Sequence, residues 1–167
     1  MVVLKVKRDT YGSNTEYLEH ALRYVGNPKK CQYLAGFGVD PYDLDHCYNQ
    51  MMTVKEYFHK SGDNPLFHFI ISFDSNVKTL HKAIVNSYYI ARCFKEQYQV
   101  LWCVHYKKRG DSRYHVHMIV NSVNLIDGKL LNITYRFMKD LCNYIKEQTG
   151  DDCRYYFGFQ NSTDDVD

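Results

Sequence analysis

The chain has no apolar run long enough to cross a bilayer, and neither an export leader nor a membrane association is expected of it. It has no Cys-x-x-Cys pair. Its six cysteines stand apart at positions 31, 47, 93, 103, 142 and 153, and free thiols in a cytosolic protein are the simplest expectation. It has little net charge: 21 Lys and Arg against 19 Asp and Glu leave +2, which excludes a global polycation. It also has no internal repeat and no low-complexity linker, so its 167 residues read as one domain able to bury a core without staples.

Aromatic residues, by contrast, are plentiful. They make up 16% of the chain and include 16 tyrosines, which offers many rings for base stacking and many phenols for nucleophilic work. Charge is uneven despite the small total. Lys29-Lys30, Lys107-Lys108-Arg109 and Arg113 are basic clusters, and Asp164-Asp165-Val166-Asp167 closes the chain with acid.

Apolar periodicity predicts the elements. Val2 to Arg8 alternates as a strand, and Thr15 to Val25 carries Leu18, Ala21, Leu22 and Val25 at helical spacing, capped by Ser13 or Asn14 and stopped by Gly26-Asn27-Pro28. Residues 29–48 show no period and are expected as a loop, followed by a short helix over Gln50 to His59. Leu66 to Phe73 alternates, with Phe67, Phe69, Ile71 and Phe73 on one side and His68, Ile70 and Ser72 on the other. A long helix over Val77 to Gln97, a hairpin built from Leu101 to Tyr106 and Tyr114 to Asn121, a helix over Thr134 to Gln148 and an edge strand over Arg154 to Phe159 complete the pattern. The expected fold is α+β: a mainly antiparallel sheet of about five strands with helices flanking one face and the other face uncovered.

Three histidines stand out on that uncovered face. His115 and His117 are two apart on one strand and therefore point the same way. Gly110 lies midway between His105 and His115, so a hairpin turn there sets those two imidazoles across from one another. Three imidazoles converging on one face make a facial metal site with positions left open for substrate oxygens. His68 has the parity either to orient a metal ligand or simply to fill a polar strand position, and Asn121 has the same standing. Arg23, Lys29, Lys30, Lys107, Lys108, Arg109 and Arg113 are candidate phosphate contacts. Metal-assisted cleavage of a phosphodiester also needs a nucleophile, and composition does not choose among the tyrosines.

Several ordered segments carry a resemblance. Leu18–Lys30 is similar to a helix whose tyrosine precedes an Asn-Pro-x-Lys-like turn. His68–Phe73 is similar to the strand that follows, and Val104-His105, His115–Asn124 and Asp127-Gly128-Lys129 are similar to the histidine motif and its tail. Together they cover most of the chain, which resembles the relaxase/mobilisation nucleases, conjugative DNA-nicking enzymes of the HUH endonuclease superfamily. The resemblance implies a nuclease domain over residues 1–160 and an acidic disordered tail over 161–167.

It further implies that Tyr24 is the nucleophile, with Tyr17 as the reserve candidate, and that His105, His115 and His117 bind a divalent cation. That cation is expected to be Mg²⁺ or Mn²⁺ in the cell, with tighter binding of Ni²⁺ or Zn²⁺ in vitro. The implied partner is single-stranded DNA at an origin of transfer on a plasmid or integrative element. Accessory DNA-binding and coupling proteins are also implied, and the enzyme is expected as a cytoplasmic bacterial monomer. Lys107 stands where many relatives carry an acid, and Asp111 is the nearest substitute. Two other readings stay open: a replication initiator or transposase of the same superfamily acting through Tyr144, and a non-catalytic nucleic-acid-binding module with an RNA-recognition-like sheet.

Overall fold

Alternating strands and striped helices fold into one sheet covered by helices on both faces. The computed structural model describes residues 1–7, 14–107 and 114–157. In chain order the elements are β1 (Val2–Lys7), α1 (Asn14–Val25), β2 (Cys31–Phe37), α2 (Leu44–Tyr57), β3 (Leu66–Phe73), α3 (Leu80–Ala91), β4 (Val100–Tyr106), β5 (Tyr114–Asn121), α4 (Tyr135–Thr149) and β6 (Cys153–Phe157). The sheet order is β2-β4-β5-β3-β1-β6. Every neighbour is antiparallel except the edge pair β1 and β6, which run parallel.

The period-two pattern separates the two faces. Val2, Leu4, Val6, Phe69, Ile71, Phe73, Trp102, Val104, Val116, Met118 and Val120 form one core with buried residues of α3 and α4. On the opposite face Leu66, Leu101, Cys103 and Ile119 pack against Leu18, Ala21, Leu22 and Val25 of α1 and against Cys47 and Met51 of α2. Leu18 and Leu22 are essentially inaccessible, and burying each contributes about 1.5–3 kcal/mol. The second face is therefore not uncovered, as the sequence led us to expect. The apolar residues that share parity with the histidines give α1 and α2 a surface to bury against.

Two further differences have local causes. The sheet has a sixth strand, β2, where a loop was expected. It is an edge strand of mixed, half-buried residues, and its pairing with β4 slips between Cys31 and Tyr33, so no clean alternation shows in the sequence. Helix α2 starts six residues earlier than the expected Gln50, at Leu44, with the Asp43 carboxylate accepting from His46 N at its cap. Its buried stripe is Cys47, Met51 and Lys55, and the charged third member hides the period.

Helix α3 is shorter than expected, ending at Ala91. Cys93 N to Ile90 O and Phe94 N to Ala91 O are i to i−3 turns that keep Phe94 buried, so the apolar stripe outlasts the helix. Helix α4 matches its expected span, from the Thr134 cap to Gly150, whose left-handed φ of 76° closes the C-terminus. The expected ends of β1 and β6 at Arg8 and Phe159, the cap Ser13, the turn at Gly110 and the tail 161–167 lie outside the described residues.

Candidate active site and metal centre

The hairpin register builds the histidine cluster. His105 on β4 and His115 on β5 are directly paired, and His117 follows two residues on, opposite Cys103. The ring centroids of His105 and His117 are 4.6 Å apart, those of His115 and His117 5.0 Å, and those of His105 and His115 5.4 Å. One ligand nitrogen from each ring lies within 4.8 Å of the other two. All three rings are buried beneath the helical layer.

Hydrogen bonds engage one nitrogen on each of two rings. His105 Nε2 lies 3.3 Å from the carbonyl of Val25, the last residue of α1. A carbonyl only accepts, so Nε2 carries the hydrogen and Nδ1 keeps its lone pair. His68 Nε2 lies 2.9 Å from His117 Nδ1. When His117 donates from Nδ1, its Nε2 becomes the ligating atom, so His68 acts through the tautomer of His117.

Electrostatics favour the same state. Burial, reinforced by His68, His105, His115 and Lys7, pushes His117 well below the ordinary histidine value of 6.5. Burial likewise lowers His105, opposed by its bond to Val25. Neutral rings are the ligand form. Three converging imidazoles, two of them held neutral by burial, therefore fit a divalent cation, and His105, His115 and His117 would hold it.

Tyr24 sits over this cluster. Its half-buried ring is 5.1 Å from the ring of His117, 6.1 Å from that of His105 and 6.2 Å from that of His68. Its position follows from how α1 stops. Gly26 leaves the helix with N bonded to Leu22 O, and a Cβ there would come within 2.8 Å of Leu44 Cδ1. Asn27 then organises the turn, its side chain accepting from Lys29 N and its carbonyl accepting from Lys30 N and Cys31 N. The turn carries Lys30 Nζ to 5.8 Å from the Tyr24 ring centroid, and Lys7 Nζ at the end of β1 lies at the same distance.

The remaining candidates are distributed as follows. Arg23 is exposed and engaged by Glu19 at 3.0 Å and Asp45 at 2.8 Å. Lys29 is exposed on the turn, and Lys107 is exposed just past β4. Lys108, Arg109, Asp111 and Arg113 lie outside the described residues. Tyr17 is buried two turns before Tyr24, in the cluster with Leu18 and Met51. Tyr144 belongs to α4, which packs on the opposite face of the sheet from the histidines, and its hydroxyl donates to Tyr89 O at 2.9 Å.

Asn121 does not touch the trio. Its Oδ1 accepts from Lys55 Nζ at 2.5 Å, and its Nδ2 donates to Gln99 Oε1 at 2.8 Å and Met51 O at 3.2 Å. These bonds occupy both ends of the amide, so its role is to join β5 to α2. The same network holds a lysine that the sequence reading missed. Lys55 is 1% exposed and donates to Pro65 O, Asn121 Oδ1 and Ser122 Oγ, and burial lowers its pKa to about 7 against the opposing pull of Asp63.

Lys7 was also missed, although β1 alternates apolar with basic residues; its place beside Tyr24 depends on the pairing of Lys7 with His68. The expectation of six free thiols is corrected too. Cys31 and Cys103 are disulfide-bonded across 72 residues, while Cys47, Cys93, Cys142 and Cys153 are free. The bond is invisible in sequence because it depends on β2, whose pairing brings the end of the Asn27 turn alongside β4.

A mostly antiparallel sheet with a His-x-His strand at its centre and a tyrosine-bearing helix laid over it is the architecture of the HUH relaxase-like nucleases. Residues 17–150 match the family model described as relaxase, MobA/VirD2-like, nuclease domain, and the chain belongs to that family. A search of curated proteins found no match. Relaxase nuclease domains act on single-stranded DNA at origins of transfer and generally use a divalent metal.

Proposed function

We propose that the protein is a site- and strand-specific DNA nickase and rejoining enzyme that works through Tyr24. The observation that carries this reading is the phenol ring of Tyr24 lying 5.1 Å from the ring of His117, within the same buried cluster as His105. The Tyr24 oxygen attacks the scissile phosphorus and loses its proton. The bond from phosphorus to the 3′ oxygen breaks, and that oxygen leaves and is protonated. The products are a 5′-phosphotyrosine linkage and a free 3′-hydroxyl, and attack by a 3′-hydroxyl on the linkage reverses the step.

The bound cation supplies positive charge to the phosphoryl oxygens. We assign its ligation to His105, His115 and His117, with Mg²⁺ or Mn²⁺ in the cell and Ni²⁺ or Zn²⁺ as tighter ligands in vitro. Lys7 and Lys30, each with Nζ 5.8 Å from the Tyr24 ring centroid, hold the phosphate charge, and Lys29 and Lys107 extend the backbone contact outward. Arg23, paired with two carboxylates, is a weaker phosphate contact.

The enzyme acts as a cytoplasmic monomer in a bacterial host, with accessory DNA-binding and coupling proteins, during transfer of a plasmid or integrative element. The placement of Tyr144 on the far face argues against the initiator-like reading. The cover of α1 and α2 over the histidine face argues against an RNA-recognition-like sheet.

The test is incubation of end-labelled oligonucleotides from the adjacent origin region with the protein and Mn²⁺. A protein-linked 5′ end that disappears on chelation and in Tyr24→Phe, but persists in Tyr144→Phe, is the expected result. An adduct lost only in Tyr144→Phe would overturn the assignment.

A further inference from the structure

A cavity of about 350 Å³ opens at the ends of β1 and β3, with Lys7 on its wall. That volume lies within the range of small-ligand sites, roughly 300–1,000 Å³. Phe67 and Ile133 form apolar wall, and Lys7, Tyr17, Asn64 and Asn132 bring polar groups to it. Asn64 and Asn132 are exposed, so the cavity is reached from solvent without displacing the core.

Lys7 joins this cavity to the catalytic cluster. It lines the cavity and also places Nζ 5.8 Å from the centroid of the Tyr24 ring. Backbone geometry sets the scale of the separation. Leu66, on the cavity wall, precedes His68 by two strand residues, about 6.6 Å. That is roughly two steps of a stacked strand, whose charges repeat about every 3.4 Å.

The chemistry of the wall suits a base better than a phosphate. Phe67 and Ile133 present apolar surface to the face of a ring. An asparagine amide offers both a donor and an acceptor to a base edge. Asn64 commits Nδ2 to Leu66 O at 3.1 Å and keeps Oδ1 as an acceptor, and Asn132 makes no hydrogen bond among the described residues. Among the described residues Lys7 is the cation on the wall, and it stands on the Tyr24 side, where the connecting phosphate would run.

We infer that this cavity is a nucleobase subsite, which takes one unpaired base of the strand whose backbone is held at Tyr24. The inference rests on the nicking reading for the identity of the strand. It makes Asn64 and Asn132 specificity-determining residues that touch no reacting atom.

The test compares binding, without added metal, of a single-stranded thymidylate oligomer and of an abasic deoxyribose-phosphate oligomer of equal length and charge. Wild type is expected to prefer the base-bearing strand. The double variant Asn64→Ala, Asn132→Ala is expected to lose about tenfold affinity for it while its affinity for the abasic strand stays within about twofold. Photo-crosslinking of wild type with an oligomer containing 5-iododeoxyuridine is expected to label the peptides carrying Tyr17 or Phe67.

If wild type binds DNA, but the double variant keeps the full base preference and crosslinks map elsewhere, the subsite falls while the nicking reading stands. If wild type shows no preference for the base-bearing strand or binds neither oligomer, the subsite falls, and the nicking reading falls only if the origin oligonucleotide with Mn²⁺ also gives no adduct.

Discussion

His68 and His117 share one hydrogen bond of 2.9 Å between ring nitrogens, with His68 on the strand next to the one that carries the metal-site pair. The bond engages His117 Nδ1 and leaves Nε2 as the nitrogen not bonded to His68, which ligates when His117 is the donor. His68→Ala is therefore expected to weaken Mn²⁺ binding by about 10–100-fold without unfolding the protein. His68→Gln, whose amide oxygen can accept from His117 Nδ1, is expected to recover part of the loss. Isothermal titration of the three proteins is the check, and equal affinities would remove His68 from the site.

The metal-free protein is expected to lose stability in acid. Burial lowers His105 and His117 below 6.5, so the unfolded chain takes up protons before the folded one does. Their contribution is complete above pH 6.5 and is lost as pH falls below that value towards their folded pKa values. Saturating Mn²⁺ should shift the loss to lower pH, because a ligated nitrogen cannot be protonated. Thermal unfolding against pH, with and without Mn²⁺, measures both effects.

Lys55 gives a second window of the same sign at higher pH. Its folded pKa of about 7 lies below the ordinary lysine value of 10.5, so between those limits the unfolded state binds more protons and stability rises with pH. The variant Lys55→Met leaves Pro65 O and the Asn121 amide short of a donor and is expected to cost about 3 kcal/mol at neutral pH. Its stability should also rise less than that of wild type between pH 7 and 10.5. Parallel denaturant titrations across that range would show it, and identical slopes would contradict the buried cation.

The Cys31–Cys103 bond closes a loop of 72 residues and ties the turn after Tyr24 to the strand of His105. Reduction by a dithiol is expected to lower stability by about 2–4 kcal/mol. In unreduced protein, alkylation followed by peptide mass spectrometry should label exposed Cys93 and spare Cys31 and Cys103. Labelling of both before reduction would show that the bond does not form.

The sequence made some of this geometry legible and hid the rest for identifiable reasons. Period-two patterning in Leu66–Phe73 and Tyr114–Asn121 gave the faces of two central strands correctly, because each side chain's environment there is set by parity alone. The cross-strand pairing of His105 and His115 followed from equal spacing about Gly110. Contacts that depend on sheet order were not readable. The edge strand β2, the Cys31–Cys103 bond and the placement of Lys7 beside Tyr24 all arise from pairings between distant segments. Helix α2 was misjudged because its buried stripe contains Lys55, whose charge is satisfied by partners as far as 67 residues away. The burial of the histidines was missed because local pattern does not say which helix covers which face.

The central claim is that the Tyr24 phenol becomes covalently joined to DNA beside the histidine trio. Peptide mass spectrometry of the protein after reaction with its origin oligonucleotide and Mn²⁺ tests it most directly. The account predicts a nucleotide phosphate attached to Tyr24. Attachment at Tyr17 or Tyr144, or cleaved DNA with no tyrosine bearing a nucleotide, would contradict it.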